Sequence, residues 1–190
     1  LAPIAEYPEI QFSLKMRLGW ENVSECMVLV ELLNTLRLSR IALHARTGKQ
    51  QYKGHPDLEA FQGFYELCQH PLYYNGDIES LSDIRQILTR FPLLKGVFIG
   101  RGLLSSPLLA KEFKGNETFL PEQRMSIYFA FHEELFSAYS QVLQGETQLL
   151  VKMKTLWEFL PETDRKLLKR IKKSTRLQQY TESVKAIFTS

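Results

Sequence analysis

Hydrophobic residues return at every second position through Ile10, Phe12, Leu14, Met16 and Leu18, which predicts a strand over 10–18 that Gly19-Trp20-Glu21-Asn22 breaks. The period then changes. Val23, Met27, Val30, Leu33 and Leu36 recur at helical spacing, with Asn22 or Ser24 placed to cap the first-turn amides. A second strand, Arg40 to Arg46, empties into a polar loop from Thr47 to Pro56. Asp57 reads as the cap of the next helix, whose apolar face is Leu58, Phe61, Phe64, Tyr65 and Cys68. Pro71-Leu72-Tyr73-Tyr74 starts a third strand, Ser80 to Phe91 forms a third helix with Leu81, Ile84, Ile87 and Leu88 inward, and Gly96 to Ile99 is a fourth strand. Four successive strand-helix units predict a parallel sheet with right-handed crossovers, whose ligand sites lie at the carboxyl ends of the strands.

Past the linker Lys114-Gly115-Asn116-Glu117-Thr118 the pattern turns helical throughout. Pro121 opens a long amphipathic segment to about Leu143, Gly145 interrupts it, and a second helix runs to Phe159. Further helices are predicted over Asp164–Thr175 and Leu177–Phe188. The expected organisation is an α/β domain over 1–114 and a small helical bundle over 115–190.

Composition narrows the class. At 190 residues and 44% hydrophobic content the chain can bury a real core. Its two cysteines, Cys26 and Cys68, both fall in helical segments, which argues against a disulfide scaffold or a zinc cluster and for two buried thiols. No apolar run approaches the roughly 20 residues that span a bilayer, and Leu1-Ala2-Pro3-Ile4-Ala5-Glu6 has neither the basic leader nor the apolar stretch of a signal peptide. A cytoplasmic protein with no membrane partner is expected. The chain starts without methionine and close to a strand, so a piece of a longer polypeptide is also expected. The net charge of +3 is too small to mark a nucleic-acid partner, but from Arg165 to Arg176 every charged residue is basic.

Each predicted strand ends in polar residues: Lys15 with Arg17, His44 with Arg46, Asn75 with Asp77, and Gly100 with Arg101. Four such ends at matching positions predict one shared pocket. Lys15 sits mid-strand, where burial demands an anion such as an electron-rich flavin edge; the alternative is an edge lysine reaching solvent. His44 is either a satisfied core histidine or a donor to a bound ligand, and Arg46-Thr47 either holds phosphate or caps the strand and pairs with an acid on the following loop. Asn75-Gly76-Asp77 and Gly100-Arg101-Gly102 read as turns or as a phosphate cradle. Their order on consecutive strands, ahead of a short helix beginning near Ser105-Ser106-Pro107, favours phosphate.

Taken together, Leu14-Lys15-Met16-Arg17-Leu18-Gly19-Trp20, His44-Ala45-Arg46-Thr47 with Gln51-Tyr52-Lys53-Gly54, Asn75-Gly76-Asp77-Ile78 and Ile99-Gly100-Arg101-Gly102 resemble the tRNA-dihydrouridine synthases. The resemblance runs from residue 8 to about 110, and the helices after Leu120 are similar to that family's RNA-binding tail. It implies an FMN enzyme in which NADPH reduces the flavin, hydride passes to C6 of a tRNA uridine, and a cysteine protonates C5. On matching positions Lys15 contacts the isoalloxazine ring and His44 lies near flavin and uracil. Asn75, Gly76, Gly100 and Arg101 hold the ribityl phosphate, with Asp77 beside them. Arg46, Tyr52, Lys166, Lys169, Arg170 and Lys173 are the implied tRNA contacts, the last four otherwise forming a solvated helix face.

In the family the first four strand-helix units supply the opening flavin contacts and the loop with the catalytic cysteine, and no segment here matches either. Cys26 and Cys68 are expected on helices remote from the strand-end mouth, so no catalytic residue is expected in this chain. The expected fold is therefore the carboxyl-terminal half of a TIM-type (β/α)8 barrel followed by an all-α bundle. Its open sheet edges predict pairing with a second copy. Two other readings stay open at this point: another FMN barrel of the dihydroorotate dehydrogenase type, and a noncatalytic RNA-binding or assembly fragment.

Overall fold

Four strands and the three helices between them occupy the first half of the chain, and the computed structural model describes residues 6–7, 9–159 and 165–189. The chain divides into two compact units, Leu1–Gly100 and Arg101–Ser190, a division that falls ahead of the linker at 114–118.

In the first unit β1 (Phe12–Gly19), α1 (Glu25–Asn34), β2 (Leu38–Thr47), α2 (Leu58–Leu67), β3 (Leu72–Asn75), α3 (Leu81–Arg90) and β4 (Gly96–Phe98) alternate. The strands form one parallel sheet in the order β1-β2-β3-β4. Successive right-handed crossovers to the next position lay each helix on the same face of such a sheet. Side chains alternate accordingly. Ile41, Leu43, Leu72 and Tyr74 are buried, and Phe61 of α2 meets Tyr74 and Phe91 edge-on at 5.0 Å each.

The helix starts are fixed locally. The Asp57 carboxylate accepts the Ala60 amide at 2.8 Å, and Ser80 and Asp83 cap each other reciprocally at the start of α3. At α1 the Asn22 side-chain oxygen accepts the Ser24 amide and hydroxyl at 3.0 Å each, one residue ahead of the helix, and Ser24 caps no first-turn amide with its own side chain. Instead the Glu25 carboxylate accepts the amides of Trp20, Glu21 and Asn22 at 2.7–2.9 Å, which holds its pKa below the usual range and folds the β1–α1 turn onto the helix. The helix is shorter than its periodicity predicts, leaving Val23 before it and Leu36 after it.

The second unit contains α4 (Arg101–Ser105), α5 (Leu109–Gly115), α6 (Pro121–Val142), α7 (Glu146–Leu156), α8 (Arg165–Lys173) and α9 (Leu177–Thr189), and no strand among the described residues. The expected start of α8 at Asp164 lies outside the described residues. Leu149, Leu150, Met153, Trp157, Ile171, Tyr180, Val184 and Ile187 form its core. A polar relay crosses that core. The Trp157 indole donates to Tyr180 Oη at 2.9 Å, Tyr180 Oη lies 2.7 Å from His132 Nε2, and His132 Nδ1 lies 3.0 Å from the Glu133 carboxylate.

Candidate functional site

Strand register brings the expected residues into rows. Arg17, His44, Asn75 and Phe98 are consecutive partners across all four strands at their carboxyl ends, and Lys15, Ala42, Tyr73 and Gly96 form the row below. Residues paired across parallel strands share a face, so Lys15, Arg17, His44 and Asn75 stand on one side of the sheet. This is the face opposite Leu43 and Tyr74.

His44 is 7% exposed, yet neither ring nitrogen has a hydrogen-bond partner among the described residues. Burial first, and then the cations of Arg17, Lys15 and Arg46 against the weaker pull of Asp77, lower its pKa to about 4. The imidazole is neutral at pH 7, with one N–H and one lone pair unspent. Among the described residues Arg46 Nε is the one buried side-chain nitrogen or oxygen without a partner, so the His44 ring nitrogens keep an edge open to solvent, where a ligand can pair with them.

Lys15 is exposed, which is the edge-lysine alternative of the two readings of its position. β1 is the edge of the sheet, so the side chain reaches solvent beside His44. Arg17 is held instead, donating to the carbonyls of Thr47 at 2.7 Å and Gln51 at 3.3 Å, with its guanidinium 6.0 Å from the Tyr52 ring. Arg17 was legible only as a neighbour on the face of Lys15. Its role as the strut that fixes the loop after β2 requires the β1–β2 pairing.

Arg46 and Asp77 find each other. The guanidinium is fully buried and grips the carboxylate with two bonds of 2.5 and 2.6 Å, while Nη2 also donates to Gly54 O at 2.7 Å. Its Nε has no partner. The acid partner expected on the following loop is thus at the next strand end, and Arg46 is placed to hold the 47–54 loop where an RNA contact was expected. Tyr52, on that loop, is 61% exposed.

The two glycine stops differ. A Cβ at Gly76 would lie 2.0 Å from Tyr74 Oη, so glycine is required there for the chain to pass over a buried phenol. A Cβ at Gly100 would meet no atom within 4 Å, and the space over that backbone is open. The Asn75 side-chain amide donates to Phe98 O at 2.8 Å and ties β3 to β4. Gly100 ends the first unit, and Arg101 opens α4 directly, earlier than the helix start expected near Ser105.

The cysteines also depart from expectation. Cys26 is buried, but Cys68 is only half-buried, at the end of α2. Cys26 lies in the first turn of α1. Its thiol donates to Val23 O at 3.2 Å, and burial pushes its pKa up, as it does that of Cys68.

In the second unit Lys166, Lys169, Arg170 and Lys173 are exposed at positions one helical turn apart. They line one open groove of about 520 Å³ with Ser174, Gln179, Glu182 and Ser183. Ile171 points the other way, into the core.

A parallel sheet with crossover helices and polar side chains at its strand ends belongs to the class of βα proteins whose ligand sites lie at the carboxyl ends of the strands. The sequence model for dihydrouridine synthase (Dus) matches residues 5–189, so the chain belongs to that family, and not to the dihydroorotate dehydrogenase type. A probable tRNA-dihydrouridine synthase of Aquifex aeolicus is 36% identical over 105 residues, which are 55% of this chain and 33% of the relative. One of Rhizobium leguminosarum is 35% identical over 100 residues, 52% of this chain and 31% of the relative. The tRNA-dihydrouridine(16) synthase of Escherichia coli is 28% identical over 110 residues, 57% and 35% of the two chains. The matched stretch spans about a third of the length of these curated relatives. Among the described residues no helix is long and apolar enough to cross a membrane.

Proposed function

We propose that this chain is the carboxyl-terminal half of a TIM-type barrel with a tRNA-binding helical domain, from a cytoplasmic enzyme that reduces uridine in tRNA to dihydrouridine with FMN and NADPH. The observation that carries this reading is His44, buried without a partner in the row Arg17–His44–Asn75. The residues present fit the flavin. His44 has an unspent N–H, Lys15 is exposed beside it, and the backbone at Gly100 is open to a phosphate. Lys15 and His44 would face the ring system, and Asn75, Gly76, Gly100 and Arg101 would hold the phosphate end. Bound FMN, reduced by NADPH, supplies the hydride that uridine receives.

The chain's own residues bind and orient. Asp77 acts through Arg46, fixing the loop that presents Tyr52 to the RNA. Lys166, Lys169, Arg170 and Lys173 neutralise backbone phosphates along their groove. Cys26 is buried and Cys68 half-buried, so neither is assigned the role of proton donor, and the isolated chain is expected to be inactive in uridine reduction. The β1 and β4 edges, each paired on one side, are proposed to associate with a second copy, and a monomer by light scattering at high concentration would remove that point.

Reconstitution tests the cofactor. Purified chain titrated with FMN should quench flavin fluorescence, and Arg101→Ala should weaken binding; absence of binding to the wild type would overturn the flavin reading. Transfer RNA should bind with a steep salt dependence, reduced by Lys169→Ala with Lys173→Ala. A second reading, a noncatalytic RNA-binding fragment, is favoured by the buried Cys26 thiol. A colourless protein that binds tRNA and ignores FMN would select it.

A further inference from the structure

We propose that Trp20 is a stacking platform for an unpaired RNA base, an inference that rests on the tRNA reading above. Trp20 follows β1 directly and is 64% exposed, unusual for the largest apolar side chain, yet its position is rigidly fixed. Its N–H donates to Glu25 at 2.8 Å, its carbonyl accepts from the Lys49 amide at 2.9 Å, and Gly48 N–H donates to Gly19 O at 2.7 Å. The indole is seated on Gly48. A Cβ there would lie 2.3 Å from Cε3 and 2.9 Å from Cζ3, so the glycine is the floor on which the ring rests.

The Cε3–Cζ3 edge of the indole is thus held against the Gly48 backbone, and most of the ring is left to solvent. The loop that carries Gly48 adds groups that suit a nucleotide. Tyr52, 61% exposed on the same loop, backs onto the Arg17 guanidinium, and Lys49 and Lys53 are nearby in the chain. Lys49 is paired with Glu21, and both are solvent-exposed. An apolar protein partner would have to strip water from that ion pair, whereas a base stacked on the ring leaves it wet. Every base has a π-face, so the platform reads no sequence; the cations take the phosphates.

Intrinsic fluorescence provides the test, because the chain has two tryptophans and the other, Trp157, is 1% exposed. Titration with single-stranded oligouridylate and with a tRNA transcript at low salt should quench the Trp20 emission, identified as the signal missing from Trp20→Phe. Trp20→Ala should bind RNA roughly ten-fold more weakly, while Trp20→Phe, which keeps an aromatic face, should retain most of the affinity. Far-ultraviolet circular dichroism with a cooperative urea transition checks that each variant remains folded in both units. RNA that binds with Trp20 emission unchanged and with full affinity in Trp20→Ala would overturn the platform and leave the tRNA reading standing. Failure of the wild type to bind any RNA would overturn both. A concentration-dependent blue shift of Trp20 without RNA, abolished in Trp20→Ala, would assign the face to a second copy and also overturn the proposal.

Discussion

Each compact unit buries one histidine, and the two are treated in opposite ways. His132 in the helical unit is 2% exposed and fully employed. Trp157 can only donate, so its N–H goes to Tyr180; the Tyr180 O–H then goes to His132 Nε2, and His132 Nδ1–H goes to Glu133. His44 in the α/β unit is nearly as buried and has no partner among the described residues, with the cations of Arg17, Lys15 and Arg46 outweighing Asp77 around it. Burial lowers both pKa values. A relay satisfied end to end is what a core requires; an unpaired imidazole in a cationic row is what a ligand site requires.

The comparison can be broken by removing partners. The largest effect is expected from Asp77→Ala, which leaves the Arg46 guanidinium buried and uncompensated and should cost about 3–5 kcal/mol in urea unfolding of the α/β unit. Trp20 reports that unit and Trp157 the other. A cost below about 1 kcal/mol would show that Arg46 finds water.

Acid should come next. His44 binds a proton near pH 4 when folded and near 6.5 when unfolded, so the folded state is favoured fully above pH 6.5. That contribution, about 3 kcal/mol, should be lost as pH falls from 6.5 towards 4. His132 acts with the same sign, since its protonation would set two donors against Tyr180 Oη, with Glu133 the opposing charge. FMN bound beside His44 should raise its pKa and flatten the acid response of the α/β unit alone. An unchanged profile with saturating FMN would separate His44 from the flavin.

Tyr180→Phe should cost about 2–3 kcal/mol, because it orphans both the Trp157 N–H and the His132 Nε2 in a dry core. The smallest change in stability is expected from His44→Leu, within about 1 kcal/mol, since no partner is orphaned and a buried polar group is removed. The same variant should lose FMN affinity. If His44→Leu destabilises as much as Tyr180→Phe, the imidazole is structural and the contrast between the units disappears.

The strand-helix alternation was legible because period 2 and period 3.6 are local properties of the chain, and so was the cap at Asp57, which acts within a single turn. The sites were legible only as residue types at strand ends. That Arg46 is spent on Asp77, that Gly76 makes room for Tyr74, and that Lys15 is on an edge depend on which strands are neighbours. So does the seat of Trp20 on Gly48, which joins the end of β1 to the loop after β2. Sequence by itself determined the alternation of elements, the parallel sheet and the polar residue types at its strand ends. Tertiary structure decided which of those polar groups are already satisfied. Hydrogen bonds and burial are pairwise properties of residues distant in sequence, and one residue's chemistry cannot tell whether its partner will be there.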